Sequence, residues 1–599
     1  MLKLRIPALA FVLLIAVTSS LAAAPAKKTA AKPAATKKTA AKVAPAAPVG
    51  DAALAEEIEK LVAPRKGAPA DTDTVRIQVR AAYRKMDFRP AWTTEGTLRA
   101  TADELFAIVS RAGAYGLDPT DYPLQQLRDE ADDVRDGDAG SVARSPQTIA
   151  QWDVQMSETF VRFASQVAGG RTKPREMFAD WYTIPRTVDG AQLLVRAAGE
   201  GNLHDLLSSV EPQSPGYQHL KNAYTRYLEV AAKGGWGQVA YGDTFVWNRK
   251  DDRIPALRKR LVASGDLAQG KQKGNKYDAL VRDAVARFQA RHGLTVTGMV
   301  DSTTVDVLNV PVSERLREMQ LNLERFRWLP DDFGPFYVTV NIPEFKLRVI
   351  DQGKMVDSMR VIVGRYYHPT PVFSDSIRLI ILNPDWAVPA TIARDELLPM
   401  IQRDSTYFLK RGIRMYRGSG GRTVEIPSDT VQWANVTKSS FPYSLRQGPG
   451  PENPLGRIKF LLPNQFDVYL HDTPASELFL QDERDFSYGC VRLQRPLRFA
   501  TDLLDPKEYP ESRLEEMIAT GRSDTLRVVP PVPVSLQYWT AWVDDKGEVQ
   551  FRDDVYRMDY RQNWAWKQRD KLLGKIQQVA NEEPNAPAGT RSAPGDIGP

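Results

Sequence analysis

The sequence has very little cysteine: Cys490 is the one residue of this type among 599. A single cysteine excludes an intramolecular disulfide framework and any zinc site built from several cysteines. Hydrophobic residues make up 42% of the chain and charged residues 26%, which are ordinary values for globular proteins. The chain is therefore neither disordered throughout nor a polytopic membrane protein, and its length predicts about four domains.

A strong charge of one sign is also missing from most of the chain. The formal net charge is +6, but residues 1–50 alone contribute +8, from eight Lys and Arg residues and no acidic residue. Residues 51–599 therefore carry −2, which does not support a nucleic-acid-binding surface. We expect no nucleic-acid partner.

The first 50 residues indicate export. Lys3 and Arg5 precede an apolar run at residues 6–17, and small residues follow it, so residues 1–24 have the pattern of a signal peptide. The apolar run is shorter than the ~20 residues of a membrane-spanning helix, and an uncleaved inner-membrane anchor is the alternative. Residues 25–50 are rich in Ala, Lys and Pro, which predicts a flexible linker.

Helical spacing of apolar residues dominates the next 200 positions. It predicts a mostly α-helical scaffold domain at residues 51–250. Thr101 and Glu104 have the spacing of a capping box, and Gly169-Gly170 marks the end of a long helix. This region contains no convergent set of catalytic residue types.

Residues 251–311 are predicted to form a separate unit of three short helices, because apolar residues recur at i, i+3, i+4 and i+7. Within it, the segment AVARFQARHGL at 284–294 resembles the three-helix peptidoglycan-binding domain. The resemblance implies cell-wall binding, whereas packing within a helical bundle also explains the apolar residues. A helical connector is expected at 312–333.

The pattern changes from helix to strand between residues 334 and 560. Aromatic and β-branched runs predict strands at 336–342, 347–350, 359–363, 377–382 and 457–462. A glycine-rich insertion at about 389–446 is expected to form a lid, with a purely structural insertion as the alternative. A disordered tail is expected at 580–599. The predicted fold is thus a multi-domain α+β protein with a helical scaffold and a β-rich domain.

The residue types that carry chemistry lie at 467–474 and 486–493. A thiol with a pKa near ~8.5 needs a base or a cation beside it, and His471 is the candidate base for Cys490. Strand alternation directs Tyr469 and His471 to one face. Gly489 permits a tight turn that could aim amide N–H groups at an oxyanion, and Arg492 could bind a substrate carboxylate.

This His471 to Cys490-Val491-Arg492 segment resembles the L,D-transpeptidase catalytic domain, whose signature is a histidine followed by Ser/Thr-His-Gly-Cys and an arginine. Further motifs at 370–373, 383–386, 448–457 and 538–543 resemble the large periplasmic members of Gram-negative bacteria, which combine a helical scaffold, a peptidoglycan-binding domain and a lidded catalytic domain. One residue departs from the signature, because Tyr488 stands where the family has histidine. A phenol does not act as a base near neutral pH.

The resemblance implies a specific reaction. Cys490 attacks the amide between meso-diaminopimelate and the terminal D-alanine of a tetrapeptide stem, releases D-alanine and forms a thioester. The side-chain amine of a second stem then resolves the thioester into a cross-link. His471 matches the base and the Asp472 carbonyl orients its ring, while no metal and no cofactor is expected. The substrate-binding residues expected from the matching segments are Arg492, Tyr488, Tyr469, Trp386 and Asn453.

Two other functions stay open from the sequence. A hydrolase, either L,D-carboxypeptidase or endopeptidase, would use the same thioester, and a non-catalytic scaffold would use only the wall-binding domain. A thiol redox protein is disfavoured, because no second cysteine can resolve an intramolecular disulfide. We expect a periplasmic monomer whose partners are peptidoglycan stem peptides, as donor and acceptor, and cell-wall synthesis proteins.

Overall fold

The structure is a computed structural model that describes residues 49–64, 73–136, 145–183, 186–418 and 420–582. The expected signal peptide and nearly all of the expected linker lie outside these residues. Within the described residues, no helix combines the length and the apolar character that a membrane crossing requires.

The N-terminal region is a helical bundle with its own apolar core. Three two-residue strands accompany its helices: β1 Thr93–Thr94, β2 Thr97–Leu98 and β3 Trp181–Tyr182. The helices are α1 Asp51–Val62, α2 Thr74–Lys85, α3 Ala100–Val109, α4 Leu124–Asp136, α5 Pro146–Gly169, α6 Pro174–Met177, α7 Gly190–Glu200, α8 Leu203–Val210 and α9 Pro215–Ala232.

Local signals fix the ends of the long helix α5. The Ser145 hydroxyl accepts a hydrogen bond from the Thr148 N–H at its start, and Gly170, with φ +90°, follows its last residue. The capping box expected at Thr101 and Glu104 is wrong. Helix α3 already begins at Ala100, so Thr101 lies inside it, and the Glu104 carboxylate instead accepts from the His204 N–H of α8.

The small helical unit contains α10 Ile254–Ala263, α11 Ala279–Arg291 and α12 Ser302–Leu308, and α13 Val312–Phe326 follows it. Gln289 is 1% exposed and holds the loop before α12, because its side chain donates to the Met299 carbonyl and accepts from the Gly298 N–H. The Gln289 of the AVARFQARHGL segment therefore serves the internal structure of this unit.

The β-rich region begins at residue 336. Its strands are β4 Phe336–Asn341, β5 Lys346–Asp351, β6 Lys354–Gly364, β7 Val372–Leu382, β8 Trp386–Ala387, β9 Ile413–Arg417, β10 Val424–Ile426, β11 Tyr443–Gln447, β12 Ile458–Leu461, β13 Leu470–His471, β14 Asp485–Ser487, β15 Val491–Leu493, β16 Asp524–Gln537, β17 Ala541–Val543 and β18 Val549–Phe551. Its helices are α14 Ala390–Ile392, α15 Leu398–Arg403, α16 Tyr407–Lys410, α17 Pro496–Leu503, α18 Glu511–Ala519 and α19 Met558–Glu582.

The main sheet closes on itself. Its strands run in the order β12-β13-β15-β6-β5-β4-β16-β7, and β12 also pairs with β7. Alternate residues of these strands are fully buried and form one apolar core, as Val338 and Val340 of β4 illustrate. The closed sheet gives β13 and β15 a rigid base.

The expected lid region is a compact insertion with a core of its own. Strands β10, β9, β11 and β8 form a separate sheet, and a π-helical turn at Ala393–Leu397 joins α14 to α15. Ile401, Phe408 and Trp433 are buried in its core. Because the insertion has its own apolar core, it forms a compact unit beside the main sheet.

The helical region and the main sheet are joined directly. Strand β3 pairs in parallel with β7, with Trp181 opposite Val372. Helix α19 returns to the helical region, where Trp566 is fully buried and the Arg171 guanidinium lies 4.9 Å from its ring. This helix extends to residue 582, so the expected tail at 580–599 begins inside a helix, and its residues 583–599 lie outside the described residues.

Candidate active site

The pairing of β13 with β15 brings the predicted site residues together. The two strands are parallel, with Leu470 opposite Val491 and His471 opposite Arg492. Leu470 and Val491 are both fully buried in the core of the sheet. Because side chains alternate along a strand, Tyr469, His471, Cys490 and Arg492 share the opposite face. All four line a cavity of about 820 Å³.

The His471 ring is held in one tautomer. Its Nδ1 lies 2.5 Å from the Asp472 carbonyl oxygen, which can only accept, so Nδ1 carries the proton and Nε2 is the basic nitrogen. The Asp472 carboxylate accepts from the Arg457 N–H at 2.8 Å and packs directly against Gly456. Burial, followed by the Arg492 charge, lowers the pKa of His471 to about 3. The imidazole is therefore neutral at neutral pH.

Cys490 is half-buried and carries the thiol of the cavity. Burial raises the pKa of Cys490, and hydrogen bonding to Tyr469 and the Lys459 charge partly oppose this effect. The Cys490 sulfur lies 3.9 Å from the Asp467 carbonyl oxygen. In the described part of the chain no hydrogen bond joins the His471 ring to this sulfur. Thiol and imidazole therefore face one cavity as a neutral pair.

Lys459 is a site residue that the sequence analysis missed. It lies opposite His471 in the antiparallel pairing of β12 with β13, and its Nζ is 3.7 Å from the centre of the Tyr469 ring. Burial lowers the pKa of Lys459, whereas the nearby Cys490 raises it. The sequence shows only that Lys459 is the one charged residue of the apolar segment 458–462, which does not place it at the site.

Arg492 has unused hydrogen-bonding capacity within the cavity wall. Its Nε is buried and has no hydrogen-bond partner among the described residues. Burial lowers the pKa of Arg492, with Cys490 opposing that shift. A guanidinium in this state can still donate to a carboxylate that enters the cavity.

Tyr488 connects the cavity wall to the lid insertion. Its ring stacks on the His368 ring at 4.5 Å, and the Arg365 guanidinium lies 4.4 Å from its centre. Burial, followed by the adjacent Glu396 carboxylate, raises the pKa of Tyr488 to about 12. Arg365 also lies 3.5 Å from Glu396, which belongs to the π-helical turn of the insertion. This contact ties the insertion to the rim of the cavity.

Gly489 has φ +109°, a conformation that favours glycine. Its N–H donates to the Ser487 hydroxyl at 3.1 Å, and its carbonyl accepts from the Thr370 hydroxyl at 2.8 Å. The geometry does not support the expected role of the Gly489 N–H as an oxyanion donor, because that N–H is already engaged within the loop.

The remaining two expected substrate-binding residues differ in position. Trp386 lines the cavity from the core of the insertion. Asn453 is fully buried and does not line it, because its side chain donates to the Pro384 and Gly448 carbonyls and accepts from the Leu455 N–H. The geometry does not support the expected binding role of Asn453, since its side chain braces the loop before β12.

Among the described residues, no group of three or more His, Cys, Asp or Glu side chains could hold a metal ion. The arrangement in the cavity suits acyl transfer. It combines one thiol, an oriented neutral imidazole and two cations on a single wall.

Comparison with known protein families gives three matches along the chain. Residues 77–224 match the family described as "Scaffold domain", residues 250–308 match "Putative peptidoglycan binding domain", and residues 335–510 match "L,D-transpeptidase catalytic domain". Residues 335–510 are therefore similar to the L,D-transpeptidase catalytic domain. The family resemblance and the multi-domain α+β fold expected from the sequence are both confirmed.

A curated relative from Haemophilus influenzae bears the description "Putative L,D-transpeptidase". It is 30% identical over 249 residues, which are 42% of this chain and 49% of the relative, so the chain spans about half of that protein.

Two solved L,D-transpeptidases are also similar. The one from Mycobacterium smegmatis has 12% identity and a TM-score of 0.17, with 34% of this chain and 58% of that chain covered. The one from Enterococcus faecium has 11% identity and a TM-score of 0.16, with 49% and 94% covered.

Proposed function

We propose that this protein is a cysteine-dependent L,D-transpeptidase that forms peptidoglycan cross-links between diaminopimelate residues, with release of D-alanine. The observation that carries the proposal is the shared cavity wall of His471 and Cys490, in which the Asp472 carbonyl leaves Nε2 as the basic nitrogen. Because its substrate is peptidoglycan, we assign the protein to the periplasm.

In the first half-reaction, the Cys490 sulfur bonds to the carbonyl carbon of diaminopimelate while its proton moves to Nε2 of His471. The bond from that carbon to the D-alanine nitrogen then breaks. D-Alanine leaves with the proton from His471, and a thioester remains on Cys490. The low basicity of the His471 ring implies that the proton moves together with bond formation and is not transferred in advance.

In the second half-reaction, the amine of the acceptor stem attacks the thioester carbon and gives its proton to His471. The carbon–sulfur bond breaks, and the sulfur takes the proton back. Lys459 and Tyr469 stabilise the negative charge on sulfur during both steps, since they are the groups that, ahead of Arg492, oppose the effect of burial on the thiol. Arg492 is the expected partner for a stem carboxylate.

A direct test is the intact mass of the protein after incubation with disaccharide tetrapeptide without an acceptor. The proposal predicts a covalent adduct equal to the substrate minus D-alanine, located on Cys490. Replacement of Cys490 by Ala should abolish the adduct. The proposal would be contradicted if the wild type turned over the substrate without forming an adduct at any time and the Cys490→Ala variant turned it over equally fast.

A further inference from the structure

A second cavity, of about 560 Å³, shares no lining residue with the catalytic cavity. One side of it is formed by Ala290 and Arg291 at the end of α11, and the other sides by β4, β5 and the segment that contains β17 and β18. Two hydrogen bonds join these walls: Arg291 donates to the Val549 carbonyl, and Arg552 donates to the Arg291 carbonyl. The cavity therefore lies where the matched peptidoglycan-binding region meets the catalytic sheet.

The wall at β5 has more cations than local carboxylates. Glu344 is paired with Arg348 through two hydrogen bonds of 2.6 and 2.7 Å. Lys346 and Arg552 line the same cavity, and among the described residues neither has a carboxylate within 4 Å. The Nη1 of Arg552 donates to two backbone carbonyls, while the side-chain ammonium of Lys346 makes no hydrogen bond to any described residue.

Both cations are half-buried, so their charges have lost part of their water. Burial lowers the pKa of Lys346 and of Arg552. Glu344 opposes the shift of Lys346, whereas Glu344, Asp553 and Asp544 together oppose that of Arg552. A half-buried cation without a counter-ion is costly, and a bound anion would remove that cost. The opposite rim carries exposed acidic groups, Asp545 and Glu548, which suit an ammonium group on the same ligand.

We propose that this cavity is a second, non-catalytic binding site, which holds a carboxylate of a peptidoglycan stem peptide against Lys346 and Arg552. The identity of the ligand rests on the proposed function, because stem peptides carry both carboxylates and an amine. A strand bound along the peptidoglycan-binding region would pass this cavity. The site would thereby hold the strand on the enzyme while other stems enter the catalytic cavity.

The test is calorimetric binding to the full chain with Cys490 alkylated, which blocks acylation. The probes are disaccharide tetrapeptide, the same disaccharide without peptide, and inorganic phosphate. We expect the tetrapeptide to bind, and Lys346→Met to weaken this binding at least about tenfold, as for loss of a charge-assisted hydrogen bond. Lys346→Arg should restore binding, and Glu344→Gln should strengthen it by removing the competing carboxylate.

The matched control is Lys354→Met, the same change at an exposed position of the adjacent strand β6. Lys354→Met should leave the binding constant for the tetrapeptide unchanged. All variants should have the same thermal stability as the wild type. Equal tetrapeptide binding by wild type and Lys346→Met would overturn the proposal, as would equal binding of the peptide-free disaccharide. Lys346-dependent binding of phosphate without binding of tetrapeptide would also overturn it.

The outcome is separable from that of the proposed function. Release of D-alanine from soluble tetrapeptide should be unchanged in Lys346→Met, because Lys346 is not part of the catalytic cavity. A wild-type chain that binds tetrapeptide through Lys346 but never acylates Cys490 would contradict the proposed function and support this site.

Discussion

Replacing Lys459 by Met should make Cys490 less reactive without changing the shape of the site. The methionine side chain keeps the apolar contact with the Tyr469 ring but removes the charge that favours the thiolate. A single nearby charge shifts a pKa by about one to three units, and the half-buried position of Lys459 favours the lower end. We therefore expect the thiol pKa to rise by about one unit.

The assay is the rate of alkylation by iodoacetamide between pH 6 and 11. Because Cys490 is the one cysteine of the chain, every alkylation of a thiol, identified by peptide mass spectrometry, reports on this site. Burial raises the thiol pKa, so the wild-type rate should climb about tenfold per pH unit through neutral pH and level off only above the ordinary thiol range. At pH 8 the Lys459→Met rate should be about tenfold lower, and the two curves should converge at high pH.

The alkylation rate of Lys459→Arg should stay close to that of the wild type at each pH, because arginine keeps the positive charge. Lys410→Met, at an exposed position of the insertion, is the matched control and should follow the wild-type curve. Identical curves for wild type and Lys459→Met would refute the idea that Lys459 stabilises the thiolate. A drop that persists at high pH would instead indicate a change in access to the sulfur.

Three further predictions concern His471, Tyr488 and Asn453. His471→Ala should slow D-alanine release by about 10²- to 10⁴-fold, the usual contribution of a general base, and an unchanged rate would remove His471 from the mechanism. Tyr488→Phe keeps its stacking on His368 and should retain D-alanine release to within about fivefold, as expected when one ordinary hydrogen bond at the cavity rim is lost. A hundredfold loss at equal thermal stability would make the hydroxyl catalytic. Asn453→Ala should destabilise the catalytic domain by about 2 kcal/mol, seen as a lower melting temperature, and unchanged melting would show that its buried hydrogen bonds are dispensable.

The sequence predicted best those structural features that depend on residues close together in the chain. Strand alternation was enough to predict that Tyr469 and His471 share a face, and glycine signals marked the end of α5. The start of α3 was misjudged by two residues, because its N-cap is Arg99 and the helix includes the predicted cap Thr101. Helix ends without a side-chain cap leave little trace in the sequence.

Features that depend on pairing between distant segments were not predictable. Lys459 reaches the site only through the register of β12 with β13, and β3 is too short for any strand pattern. The role of Asn453 also depends on the fold, since its partners, among them the Pro384 carbonyl, become neighbours only when the insertion packs on the sheet. A polar residue within a matching motif can equally serve binding or structure.

The central claim is that Cys490 transfers an acyl group from one stem peptide to the amine of another. It is tested most directly by mass spectrometry of the products formed from purified disaccharide tetrapeptides by the wild type and by Cys490→Ala. The wild type should form cross-linked dimers that have lost one D-alanine, and the variant, at unchanged thermal stability, should form none. Dimers from the variant, or only tripeptides from the wild type, would contradict the claim.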